Sequence, residues 1–221
     1  MTSNGRRSLA GAVAARRRAE LVSSLRGISR SPVRPPAPDS GEHCDLCGLG
    51  IPAGHRHLIH LAQRRIVCAC EACWAMRSGE GDYRPTGNRT TVLADLELPD
   101  ELWASFQIPI GLAFFMYSTV TNCVVAMYPS PAGATESELH FDSWSRMCEL
   151  NPVLTELEPD IEGLIVNRLS DPPVYAIAPI DRCYALTGAI KATWEGISGG
   201  TGVEKAVTRF FDELVADGTA A

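Results

Sequence analysis

Lysine is almost missing from this chain: of its 20 basic residues only Lys191 and Lys205 are lysine, and neither follows a Gly-x4-Gly spacing. That excludes a phosphate loop, whose lysine must reach the terminal phosphates. Long apolar runs are missing too. The longest, Ile108 to Tyr117, is interrupted by Pro109 and Gly111 and falls well short of the roughly 20 residues a membrane helix needs, so no membrane span is expected. An acid, base and nucleophile set is also absent: His140 is the only histidine after residue 60, and Cys123, Cys148 and Cys183 are expected as small buried residues rather than catalytic thiols. Arg6-Arg7 resembles the start of a twin-arginine export signal. The apolar stretch Leu9 to Ala15 then ends in Arg16-Arg17-Arg18, where a signal's hydrophobic core continues, and a cytoplasmic location is expected.

What is present is concentrated. Between residues 44 and 73 lie five of the eight cysteines and three of the five histidines, as Cys44-x2-Cys47, then His55, His57 and His60, then Cys68-x-Cys70-x2-Cys73. Two Cys-x2-Cys pairs about twenty residues apart let two knuckles face each other and complete a tetrahedron of thiolates around a soft cation. Cys44 and Cys47 supply one half. Cys70 and Cys73 are the expected other half, because they repeat the spacing and open a helix whose N-terminus favours thiolate. Gly48 follows the first knuckle, as a turn with positive φ requires. Cys68, His55 and His57 are alternates, expected as neighbours or surface groups, because four sulfurs already close a structural site. The expected cofactor is zinc, with iron as the alternative, since a rubredoxin-like centre uses the same four thiolates.

Charge divides the chain. Residues 1–38 carry eight arginines and one glutamate, +7, which against the total of −6 leaves −13 for residues 39–221. Residues 1–42 are therefore expected as a basic, disordered or loosely helical tail, with an arginine-rich helix over 6–26 and a proline-rich linker over 31–38. A Cys/His metal module is expected over 43–80, closing at Ser78-Gly79-Glu80-Gly81 before a connecting segment that starts at Asp82-Tyr83-Arg84-Pro85. Residues 43–80 hold four arginines against three acidic residues, too little positive field for phosphate binding, so a nucleic-acid partner is not expected.

The remainder, 90–218, is expected as an α+β domain with an antiparallel sheet, the whole being a small zinc-ribbon or treble-clef-like module followed by that domain. Ile110–Thr119 and Asn122–Tyr128 form a hairpin around Val120-Thr121. Pro129 to Glu136 is expected as a loop, because two prolines and a glycine in five residues oppose regular hydrogen bonding. Asp142 caps a helix through Trp144, Met147 and Leu150 that Asn151-Pro152 stops. Ile161 to Arg168 is ambiguous between helix and strand, and Val174 to Ala178 is a further apolar run. Val203, Ala206, Val207, Phe210, Phe211 and Leu214 recur at helical spacing, with the Phe pair in the core. Two turn-rich segments are candidate binding loops: one contributes Pro129, Pro131, Gly133, Thr135 and Glu136, the other Trp194, Gly199 and Gly200.

The segments Cys-Asp-Leu-Cys-Gly at 44–48, His-Arg-His-Leu at 55–58, Cys-Ala-Cys-Glu-Ala-Cys at 68–73, Gly-Leu-Ala-Phe-Phe at 111–115, Tyr-Pro-Ser-Pro-Ala-Gly-Ala-Thr-Glu at 128–136, Pro-Ile-Asp-Arg-Cys-Tyr at 179–184 and Trp-Glu-Gly-Ile-Ser-Gly-Gly at 194–200 resemble an uncharacterised bacterial family, common in actinobacteria, with a Cys-rich zinc-ribbon-like motif. Its genes lie beside those of nickel–iron uptake hydrogenases. The resemblance covers about residues 40–215 and implies a context without naming catalytic residues. It suggests a zinc-binding accessory protein with a protein partner, such as a hydrogenase subunit or maturation factor. The competing expectation is a small redox protein using iron or thiol chemistry at the cysteine cluster.

Overall fold

Alternation of buried side chains sets the architecture. The computed structural model describes residues 41–137, 139, 141–196 and 199–220; the expected basic segment, its helix and linker, His140, and Ile197-Ser198 of the second candidate loop lie outside them. A three-stranded antiparallel sheet comes first, in the order β2-β1-β3, from β1 (Arg56–His60), β2 (Arg65–Ala69) and β3 (Tyr83–Pro85), with helix α1 (Glu71–Arg77) between β2 and β3. Residues 82–85, expected as a connecting segment, thus supply a strand instead, because His60 and Ile59 of β1 present a free edge to Tyr83 and Arg84.

A seven-stranded sheet follows, built from β4 (Thr91–Val92), β5 (Leu112–Ser118), β6 (Cys123–Ser130), β7 (Gly133–Ser137), β8 (Glu162–Asn167), β9 (Val174–Pro179) and β10 (Thr219–Ala220), in the order β10-β4-β9-β8-β5-β6-β7. Every pairing is antiparallel except β10 with β4. Helices α2 (Asp100–Ser105) and α3 (Phe141–Leu150) and a 3-10 turn over Pro152–Glu156 come between strands; α4 (Ile180–Thr193) and α5 (Gly200–Asp217) follow β9. The expected α+β class with antiparallel sheets is what the structure shows.

The central strands are buried on both faces. Along β5, Leu112, Phe114 and Met116 enter one core with Phe210, Phe211 and Leu214 of α5, while Ala113 and Phe115 enter the other with Leu102 of α2 and Met147 of α3. β8 divides the same way, Ile165 to one side and Leu164 and Val166 to the other. Two buried faces explain why this segment reads as a continuous apolar run whose period is ambiguous, and the structure resolves it as strand. The hairpin of β5 and β6, the stop of α3 at Asn151-Pro152 and the buried Phe pair of α5 match the sequence expectation. Asp142 lies in the first turn of α3 rather than before it.

The segment Pro129 to Glu136 is not a loop. Pro129 and Ser130 end β6, Pro131 and Ala132 form a two-residue turn, and Gly133 begins β7 with Pro129 opposite Ala134. Pairing of β6 with β5 ends at Met127, so Pro129 has a strand on one side only and its missing N–H costs the ladder nothing. Gly133 takes φ +116, which the tight return to β7 requires. Helix α4 has a weak signature in the sequence: its buried positions Ile180, Cys183, Leu186, Thr187 and Ile190 carry helical spacing, but a Thr and a Cys among them weaken the apolar signal. Of the three body cysteines, Cys183 is buried as expected, Cys148 is half-buried and Cys123 is exposed.

The small sheet joins the body through its own core. Ile59 and Leu61 belong to the same apolar cluster as Phe114, Ile180 and Phe210, while Leu58, Val67 and Ala69 pack on the opposite face towards Trp74 of α1. Arg64, at the turn between β1 and β2, takes φ 48 and pairs with Glu136 of β7 at 2.8 Å.

Candidate metal centre

The first knuckle is a tight turn held by its own backbone. The Cys44 N–H donates to Leu49 O at 2.8 Å and the Gly48 N–H to Cys44 O at 2.8 Å, with Gly48 at φ +74 as the spacing predicts. The turn docks on the end of β2, where the Asp45 N–H donates to Cys68 O at 2.9 Å and the Cys68 N–H to the Asp45 carboxylate at 2.8 Å. Helix α1 then begins with Cys70 as its N-cap, the Cys70 sulfur accepting from the Cys73 N–H at 3.5 Å. Knuckle, hairpin and helix, with thiols from the knuckle and the helix start, follow one another as in a treble-clef finger.

The structure brings Cys44, Cys47, Cys70 and Cys73 together, their sulfurs within 4.8 Å of one another. The Cys47 and Cys70 sulfurs are 3.7 Å apart. A disulfide needs about 2.05 Å, whereas a tetrahedron with metal–sulfur bonds of about 2.3 Å has edges of about 3.8 Å. The spacing fits a cation between the sulfurs.

Electrostatics distinguish the four thiols. Burial would push the Cys44 thiol up, but the backbone N–H groups of Cys70, Leu46 and Cys47 point at its sulfur and bring it down to about 6. Cys73 is pushed up to about 12, chiefly because its proton is shared with the Cys47 and Cys70 sulfurs. Cys47 is raised as well: the Leu49 N–H favours its thiolate, but the Cys44 side chain and desolvation outweigh that bond. Without a cation Cys44 is therefore a ready thiolate at neutral pH, while Cys47 and Cys73 keep their protons. A cation binds by displacing those protons. Four sulfur donors leave no open position, so the centre is suited to holding structure and not to activating water.

Cys68, His55 and His57 stand outside this set and converge on one another, their ligand atoms also within 4.8 Å. Burial and the carboxylates of Asp45 and Glu42 push the Cys68 thiol up. Residue types alone did not reveal that these three form a second group; the signal was there in the strand period, which puts His57 of β1 directly opposite Cys68 of β2.

The candidate binding residues separate into structural and exposed groups. Pro129 is buried, Thr135 bonds the Ser130 hydroxyl at 2.9 Å, and Glu136 pairs with Arg64. Pro131 is exposed at the turn tip. Trp194 ends α4, packs on the core and donates from Nε1 to Gly196 O at 3.0 Å. Gly199 and Gly200 take φ +94 and +73 at the entry to α5, so backbone geometry accounts for both. Gly133 lies beside the Lys191 side chain near the end of α4.

A profile for a family of unknown function, DUF5947, matches residues 43–218. The chain belongs to that family. The match begins one residue before the first knuckle cysteine and runs through α5, so it spans the thiol cluster and strands β1 to β9. No curated protein and no solved structure matches the chain. Among the described residues, no helix is long and apolar enough to cross a membrane.

Proposed function

We propose that this protein is a non-enzymatic zinc-binding accessory protein that acts through a protein partner. The observation that carries the proposal is the closed set of four thiols at tetrahedral spacing. A closed site contributes binding free energy to folding and offers no coordination position for substrate. The gene context implied by the family resemblance suggests nickel–iron hydrogenase assembly or regulation as the setting, with a hydrogenase subunit or maturation factor as partner and the cytoplasm as the compartment. The exposed turn at Pro131-Ala132 and the segment from Trp194 to Gly200 are the proposed contact surfaces, because turn-rich connections on a packed scaffold often carry binding function.

Metal analysis of the purified chain tests the proposal. About one tightly bound zinc per chain, lost together with folding of the module in Cys44→Ser, is the expected result. A visible thiolate-to-iron absorption with matching iron content would replace zinc with a rubredoxin-like redox centre. In a strain lacking the gene, hydrogen uptake should fall while transcripts of the hydrogenase subunits persist; normal uptake would remove the hydrogenase setting.

A further inference from the structure

We infer that His55, His57 and Cys68 form a second, open metal site that takes an exchangeable divalent first-row transition cation. The inference is independent of what the four-thiol centre holds. His57 and Cys68 are cross-strand partners. The N–H and C=O of Cys68 are engaged by Asp45 of the knuckle, on the side away from β1, so the His57–Cys68 pair is of the non-hydrogen-bonded kind in which side chains lie closer. His55, one residue before β1, turns its ring edge-on to that of His57, with centroids 4.6 Å apart.

Each ring is already oriented by its Nδ1. In His57 that nitrogen lies 2.7 Å from the Asp181 carboxylate, and in His55 it lies 2.9 Å from Pro52 O and 3.3 Å from the Glu42 carboxylate. Nε2 is thus the nitrogen each ring has left to offer. The His55 side chain is only 5% exposed, and its Nε2 makes no hydrogen bond among the described residues. A buried ring nitrogen without a partner is costly unless something else satisfies it. A cation does so here.

The surroundings suit a positive charge. Both imidazoles touch a carboxylate, Glu42 at His55 and Asp181 at His57, and a third, Asp45, accepts from the Cys68 backbone N–H. Asp181 is itself fixed by the Arg182 N–H, which donates to its other oxygen at 3.0 Å. Carboxylates behind imidazole ligands set the tautomer and raise ligand basicity. Two imidazoles and a thiolate select zinc, cobalt, nickel or copper over calcium or magnesium. Three donors leave a fourth position, and His57 and Cys68 are only partly buried, so that position faces solvent. This is the arrangement of a site that exchanges its cation or binds a small anion or a partner's side chain on it. Asp181 is a positioning residue that acts through His57.

Titration of the metal-free full chain with Co2+ tests the inference. Wild type should take up two equivalents, the first giving the intense visible bands of tetrahedral thiolate coordination. In the double variant His57→Gln, Cys68→Ser the uptake should fall to one equivalent with those bands intact, which also shows that the knuckles still fold. Asp181→Asn should weaken the second equivalent by about 10- to 100-fold and leave the first unchanged. Uptake by wild type of none, or of one equivalent with the full four-thiolate bands, or two equivalents retained in the His57→Gln, Cys68→Ser variant, would overturn the second site. Failure of the four-thiol centre alone would appear instead as one equivalent in wild type without those bands, removed by His57→Gln, Cys68→Ser.

Discussion

At the scale of single residues, the thiols that read as interchangeable ligands differ because of what donates to them. Cys44, supplied with three backbone N–H groups, is the thiolate that receives a cation first; Cys47 and Cys73 hold protons. Each displaced proton adds about one order of magnitude of affinity per pH unit. With two raised thiols among the ligands, zinc affinity measured against a competing chelator should climb by at least about a hundredfold per unit from pH 6 towards 9. Below about pH 6 the proton on Cys44 also competes, and metal should be released more steeply. A flat profile across that window would show that the sulfurs do not ligate. Cys73→Ser should release the metal of the four-thiol centre, whereas Cys68→Ser should leave that equivalent bound; metal content after dialysis separates the two.

Among the elements, β5 has the largest share of the packing, since its alternate residues enter both cores. Phe115 is fully buried and packs against Phe106, Trp103 and Trp144. Its truncation to Ala should cost about 3–5 kcal/mol by the cavity it leaves. Val120 in the adjoining turn is 56% exposed, and its substitution by Ala should stay within about 0.5 kcal/mol. Asn151 is a polar counterpart: its side chain accepts from the Glu97 N–H at 2.7 Å and donates to Glu97 O at 2.8 Å, tying the segment before α2 to the end of α3. Asn151→Ala leaves those backbone groups unpaired and should cost about 1–3 kcal/mol, read as a lower denaturant midpoint with an unchanged slope.

For the molecule as a whole, the small cysteine-bearing sheet and the large sheet share apolar core. Ile59 and Leu61 pack with Phe114 and Phe210, Arg64 reaches Glu136, and His57 reaches Asp181. Residues 39–221 accordingly form one compact unit. Removing metal should therefore lower the temperature of the main unfolding transition, not merely abolish a small separate one. Calorimetry with and without chelator checks this; an unshifted main transition would show that the module unfolds alone. Residues 1–38, rich in arginine and proline and poor in large apolar side chains, should be removable with little change in that transition.

Sequence by itself determined the features that depend on neighbours a few residues away. The Cys-x2-Cys pairs, the positive φ at Gly48, the start of α1 at Cys70, the β5–β6 hairpin and the helical period of α5 are all of this kind, because knuckle geometry, turn chemistry and amphipathic spacing are local. Tertiary structure decided what depends on distant segments. Pro129 sits in a strand because the pairing of β6 with β5 ends at Met127, residues 83–85 become a strand because β1 offers an edge, and Cys68 leaves the four-thiol set because the register of β1 and β2 places it opposite His57. Asp181, the carboxylate that orients His57, lies 124 residues further along the chain. No spacing rule reaches that far; only the packing of α4 against the face of β1 brings the two together.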